Sequence, residues 1–214
     1  MTDTLKVVSP IDGSIYAERP LAAWPEVEGA LSTARAAQAA WKLVPVSERA
    51  SLCQRFTDAL IGMADEIIPE LAWQMGRPIA YGKGELRGFE ERARYMIAIA
   101  GEALADIDAG PKDGFRRWIR REPRGVVLPI AAWNYPYLIA VNSVVPALMA
   151  GNAVILKHSG QTPLCAERFA MAFEKAGAPD GIFQALHMSH EMTARTIADP
   201  RIDHVLFTGS VEGG

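Results

Sequence analysis

The sequence predicts an α/β fold in which helices and a β-hairpin pack with a parallel sheet. Three observations predict it. Beyond Pro123, short apolar runs alternate with helical patterns, the rhythm of strands joined by crossover helices. The run Gly125–Ala131 is apolar almost throughout, as a strand buried on both faces reads. Before residue 115, apolar residues recur at helical spacing in successive segments.

In order, Val7 to Ala17 reads as a hairpin turned by Asp12-Gly13. Pro25 suits the first turn of a helix running through the alanine-rich segment to Trp41. Ser47 is placed to cap a second helix carrying Leu52, Phe56 and Leu60. A third, Ala64 to Met75, is closed by Gly76-Arg77-Pro78. A fourth runs from about Gly84 to Ile107, with Phe89, Ala93, Met96, Ile97 and Ala100 on one stripe. Residues 108–114 form a linker or turn, and Phe115–Arg121 a basic, aromatic strand or ribbon arm. The parallel-sheet region then reads as strand Val126–Ile130, helix 137–149, strand Ala153–Leu156, helix 162–175, strand Ile182–His187, helix 190–198 and strand His204–Phe207. Gly151-Asn152, residues 177–181 and Asp199-Pro200 punctuate it. After Phe207 come a Gly-Ser turn and the first residues of a helix. The helix that would cover that sheet face is missing, so more polypeptide is expected to complete the fold.

The 214 residues are half hydrophobic, with a formal net charge of -3. Mild acidity gives no reason to expect nucleic acid or a membrane surface as partner. No apolar run is long enough to span a bilayer, and the N-terminus lacks a signal-peptide pattern, so a cytoplasmic protein is expected. Cys53 and Cys165 have no metal-ligand spacing and lie in helical patterns as buried structural thiols. The four histidines show no metal spacing either, and no metal is expected. The arginines of 116–124 suit a solvated strand or a subunit contact.

Chemistry concentrates where the strands end. The strand from Gly125 runs into Trp133-Asn134-Tyr135-Pro136, and open α/β sheets bind ligands at the carboxyl ends of their strands. Asn134 has an amide N–H to offer a developing oxyanion; it could equally cap the helix that follows. Lys157 ends the strand Ala153–Leu156, where it can bond ribose hydroxyls or phosphate, or simply snorkel at the sheet rim. Gly209-Ser210, with Gly214 further on, lies between a strand and a helix start, a place suited to a pyrophosphate.

Together these residues resemble the NAD(P)-dependent aldehyde dehydrogenase superfamily, in its N-terminal portion. The matching stretches are Pro123-Arg124-Gly125-Val126, Trp133-Asn134-Tyr135-Pro136, Pro146-Ala147-Leu148, Ala150-Gly151-Asn152-Ala153, Lys157 with Gln161-Thr162-Pro163, Gly177-Ala178-Pro179 and Phe207-Thr208-Gly209-Ser210. The resemblance implies residues 1–114 as the helical and hairpin part of a cofactor domain, 115–122 as an oligomerisation arm, and 123–214 as an incomplete Rossmann-like region. It also implies a homo-oligomer. The implied reaction oxidises an aldehyde to an acid with hydride passing to NAD or NADP, through a cysteine thiohemiacetal and thioester, with a glutamate activating water. Carried over by position, Asn134 would stabilise the oxyanion. Trp133, Lys157, Ser159, Gly160, Gly209, Ser210 and Gly214 would line the cofactor site, and Tyr135 and Leu138 the aldehyde tunnel.

Three departures qualify the match. The family's nucleophile, in a Gly-Gln-x-Cys context, and its general-base glutamate would lie beyond Gly214, so these residues alone are expected to be inactive. Many NAD-preferring members carry a glutamate three residues after the strand-end lysine; Gly160 stands there, so a 2′-phosphate would meet no carboxylate. A lysine common in the helix after the corner appears as Asn142. Two alternatives stay open: a non-catalytic nucleotide-binding or scaffolding module, and an acyl-phosphate or acyl-CoA reductase of the same superfamily.

Overall fold

A computed structural model describes residues 3–214. Strands β1 (Thr4–Val8) and β2 (Ile15–Pro20) form an antiparallel hairpin with a register shift at Val7/Val8. At its turn the Asp12 carboxylate accepts from the Ser14 amide and hydroxyl, at 2.9 and 2.7 Å, and Gly13 adopts a φ of 76°. Four helices follow: α1 (Trp24–Trp41), α2 (Val46–Ile61), α3 (Ala64–Met75) and α4 (Ile79–Ala103). Two short strands, β3 (Ile107–Asp108) and β4 (Trp118–Ile119), pair antiparallel in the arm. The sheet region is β5 (Val126–Ile130), α5 (Pro136–Met149), β6 (Ala153–Leu156), α6 (Pro163–Lys175), β7 (Phe183–Ala185), α7 (His190–Ile197) and β8 (His204–Phe207).

The four strands run parallel in the order β7-β6-β5-β8. From β5 the chain steps one way to β6 and β7, then returns to β8 on the other side. That reversal at β5/β8 is a topological switch point, where open α/β sheets hold ligands.

The pleat decides the layers. Val126, Leu128, Ala153 and Ile155 face one side and bury Val27, Leu31 and Ala34 of α1. Val127, Val154 and Leu156 face the other side, against α5, α6 and the helical layer α2–α4. There Phe56 of α2 stacks on Phe173 of α6 at 3.8 Å between ring centroids, and Phe89 of α4 meets Phe56 edge-on at 5.9 Å. Residues on either side of the arm therefore share one apolar core.

The bounds of two helices differ from the sequence expectation. Helix α2 begins at Val46 with Pro45 at its N-cap, so Ser47 lies inside the helix; its carbonyl accepts from the Ser51 hydroxyl at 3.0 Å. Helix α4 starts at Ile79, not Gly84, and ends at Ala103, with Ile107 already in β3. Gly82 is no helix breaker: a Cβ there would come within 2.6 Å of the Ile68 side chain, so the glycine lets α3 and α4 approach closely. Beyond β8, residues 211–213 form a turn.

Gly82 and Gly84 should respond oppositely to alanine. Nothing lies within 4 Å of a Cβ on Gly84, so Gly84→Ala should stabilise by ~0.5–1 kcal/mol through helix propensity. Gly82→Ala must push Ile68 aside and should destabilise by about 1–3 kcal/mol. Denaturant unfolding of both variants checks this; stabilisation by Gly82→Ala would show that α3 and α4 are not packed this closely.

Candidate functional site

The carboxyl end of β5 is held from both edges. On the β6 side, the Lys157 amide donates to the Pro129 carbonyl at 2.9 Å, and the Lys157 carbonyl accepts from Ala131 at 3.1 Å. On the β8 side, the Thr208 amide donates to the Ile130 carbonyl at 3.0 Å. The ends of β5, β6 and β8 thus form one rim, from which the corner 131–135, the loop 158–162 and the turn 208–214 all leave.

At the corner, Trp133 and Tyr135 are about half exposed, at 47% and 51%. Asn134 is also exposed. Its side chain does not cap α5, which removes the alternative role that spacing left open: Tyr135 is the N-cap, with no side-chain bond. The cap is supplied from elsewhere. Glu85 of α4, whose side chain is fully buried, accepts from the Tyr137 and Leu138 amides through one carboxylate oxygen, at 3.0 and 3.1 Å. Its other oxygen pairs with Arg77 at 2.5 Å. Arg77 also donates to the Asn134 carbonyl at 2.5 Å, and its guanidinium lies over the Tyr135 ring at 4.6 Å. The Asn134 side-chain amide makes no hydrogen bond among the described residues.

Sequence reasoning passed over both members of this clamp. Arg77 sits in a helix stop, Gly76-Arg77-Pro78, whose neighbours mark it as punctuation. Glu85 carries a signal: it falls four residues before Phe89 and eight before Ala93, a carboxylate on an apolar stripe.

Lys157 is 9% exposed, and burial pulls its ammonium below the ordinary lysine range. Among the described residues its ammonium has no ion-pair or hydrogen-bond partner. The neighbouring His158 is fully engaged. Its Nε2 lies 3.2 Å from the Pro136 carbonyl, and its Nδ1 accepts from the Ser159 amide at 2.9 Å and lies 3.2 Å from the Thr162 hydroxyl. This fixes the neutral tautomer with the proton on Nε2. Burial pushes the imidazole down to about 4, helped by the adjacent Lys157 charge. His158 therefore ties the end of β6 to the start of α5. The Ser159 hydroxyl accepts from the Gln161 amide at 3.2 Å, closing the loop around Gly160. A Cβ on Gly160 would meet only the tip of Leu5, at 2.9 Å.

In the turn, Ser210 accepts from the Gly213 amide at 3.2 Å. The Phe207 ring lies across Gly209, Gly213 and Gly214; a Cβ on Gly209 would come within 2.5 Å of it. Leu138 faces α4, near Gly88. Asn142 bridges α5 and α4 by accepting from Arg92 at 3.0 Å. Cys53 and Cys165 lie away from the rim in the core, and burial raises both thiols, Cys53 to about 12. Among the described residues, no group of three His, Cys, Asp or Glu side chains is placed to hold a metal ion, and no helix is long and apolar enough to cross a membrane.

Residues 1–214 match the model of the aldehyde dehydrogenase family. The chain is 35% identical over 212 residues to 3,6-anhydro-alpha-L-galactose dehydrogenase of Streptomyces coelicolor, covering 99% of this chain and 43% of that protein. It is 36% identical over 170 residues to the NADP(+) succinate-semialdehyde dehydrogenase of Mycobacterium avium, covering 78% and 36% respectively. A crystal structure of an NAD-dependent benzaldehyde dehydrogenase from Corynebacterium glutamicum superimposes with a TM-score of 0.91 at 27% identity, covering 98% of this chain and 45% of that one. The chain thus spans less than half the length of these relatives.

The buried imidazole predicts a pH dependence. The unfolded chain takes up a proton at His158 as pH falls through 6.5, while the folded chain resists until about 4. Stability from this group is therefore whole above 6.5 and lost between 6.5 and 4, by ~3 kcal/mol at ~1.4 kcal/mol per pH unit. Unfolding of wild type and His158→Gln across that window checks it: the wild-type curve should fall more steeply, and parallel curves would remove the role.

Proposed function

The chain belongs to the aldehyde dehydrogenase family, and on that premise we propose that the protein oxidises an aldehyde to a carboxylic acid with transfer of hydride to NAD or NADP. One observation carries the reading: an unpartnered amide, Asn134, and an unpartnered ammonium, Lys157, leave the carboxyl ends of adjacent strands beside the switch point. When bound, the nicotinamide cofactor supplies the hydride acceptor.

Lys157 fits such a cofactor. A buried ammonium with no partner among the described residues, at a strand end, is placed to donate to ribose hydroxyls or to a phosphate. Ser159 and Gly160 shape the loop beside it. Gly160 brings no carboxylate to repel a 2′-phosphate, which supports acceptance of both cofactors. Gly209 and Ser210 offer backbone N–H groups to the pyrophosphate at the end of β8; the Gly214 amide donates to the Val211 carbonyl at 3.3 Å and lines the same turn, and Trp133 lines the cofactor side.

Asn134 donates its side-chain N–H to the oxygen that gains negative charge as a thiolate adds to the aldehyde. Tyr135 and Leu138 line the substrate entrance. Burial of Cys53 and Cys165 argues against either as the nucleophile, so we assign the thiolate and the water-activating glutamate to polypeptide outside residues 1–214. The arm β3–β4 exposes Ile107, Phe115, Trp118 and Ile119, which supports a role in homo-oligomer contacts.

In the full-length protein, Asn134→Ala should lower kcat roughly ten- to a thousand-fold while the fold survives; undiminished turnover would remove the oxyanion role. Lys157→Ala should weaken NAD and NADP binding about tenfold or more in a fluorescence titration. Equal affinity in that variant would move the ribose site elsewhere.

A further inference from the structure

We propose that Arg77 and Glu85 are positioning residues that set where the Asn134 amide points. The inference rests on the oxyanion role given to Asn134. Neither residue belongs to the corner, yet together they hold it at three places. Glu85 fixes the first turn of α5 through the amides of Tyr137 and Leu138, at 3.0 and 3.1 Å. Arg77 fixes the peptide of Asn134 itself through its carbonyl, at 2.5 Å, and covers the Tyr135 ring at 4.6 Å. The ion pair between them, at 2.5 Å, couples the two grips, and it is nearly closed to water, with side chains 11% and 0% exposed.

The chemistry of each group suits that task. A guanidinium presents several N–H groups in a rigid plane, so one side chain can bind a carboxylate, bind a carbonyl and stack on an aromatic ring at once. A lysine ammonium can keep the ion pair but cannot do all three. The Asn134 side chain has no hydrogen-bond partner among the described residues, so the peptide held by Arg77 is what orients it. An oxyanion donor is effective only when its direction is fixed before the charge develops, so an error of about 1 Å is costly.

The test is a double-mutant cycle in the full-length protein: wild type, Arg77→Lys, Asn134→Ala and the double variant, with kcat, aldehyde KM, thermal midpoint and NADP affinity measured for each. Arg77→Lys should lower kcat and kcat/KM together, by about 10- to 100-fold, with NADP affinity within about twofold of wild type. In the Asn134→Ala background the same substitution should change kcat by less than about threefold. An equal drop in both backgrounds overturns the positioning role and leaves Asn134 its own. Undiminished kcat in Asn134→Ala sinks the oxyanion reading and this inference with it. Should Arg77→Lys not fold, Arg77→Gln, which keeps a donor for the Asn134 carbonyl, takes its place; failure of both to fold makes the pair a folding element and also overturns the proposal.

Discussion

Everything at the rim depends on β5 being hydrogen-bonded in parallel register on both edges. A parallel strand bonded on two sides cannot fray at its end. The carbonyls of Pro129 and Ile130 are taken by amides from Lys157 and Thr208, so the three chain exits stay at fixed separations. The price of two neighbours is burial on both faces, and the residues Val126, Val127 and Leu128 meet it with side chains that pack into α1 on one side and α5 on the other. A polar residue cannot be placed inside such a strand. It can be placed one step past its end, which is where Lys157 stands after Leu156 and where Asn134 stands beyond Ala131.

The helical layer adds what the sheet cannot. Helix α5 begins with Pro136, so its first turn lacks one N–H and still exposes others. No residue at the corner caps them, because the corner side chains face outward. Glu85 reaches across from α4 instead, a buried carboxylate made tolerable by two backbone amides and by Arg77. The contact between α4 and α5 is thus more than apolar packing around Phe89: it transmits the position of the helical layer to the start of α5.

The sequence made the sheet region legible for a physical reason. Strands buried on both faces and helices closed by Gly151 and Gly177 are local signals, so the spans of β5, β6 and α6 could be read nearly to the residue. What escaped depended on distant partners. Gly82 and Gly84 look alike in sequence, and only the Ile68 side chain separates a packing glycine from an open one. The cap of α5 lies 52 residues away at Glu85, beyond the reach of any local motif. Ser47, a good cap by residue type, lies inside the helix because α2 begins two residues earlier, with Pro45 at its N-cap. The family resemblance supplied the chemistry that none of these patterns carries alone.

Lack of a partner is not by itself a mark of function. Tyr137 and Arg49 also carry buried polar atoms without a hydrogen bond, the phenol oxygen and Nε. The Tyr137 hydroxyl is sealed among Cys165, Phe169 and the rest of the core, where no ligand can reach it. Arg49, in the first turn of α2, lies against Gly151, at the opposite end of β6 from Lys157. Among the described residues, what distinguishes Asn134 and Lys157 is the combination of an unmatched donor with a place on the carboxyl rim, beside side chains that hold one another. His158, Ser159, Thr162, Arg77 and Glu85 each make at least one hydrogen bond there. Open donors beside such a network suit something electron-rich, and a ribose oxygen and a nascent oxyanion are both of that kind.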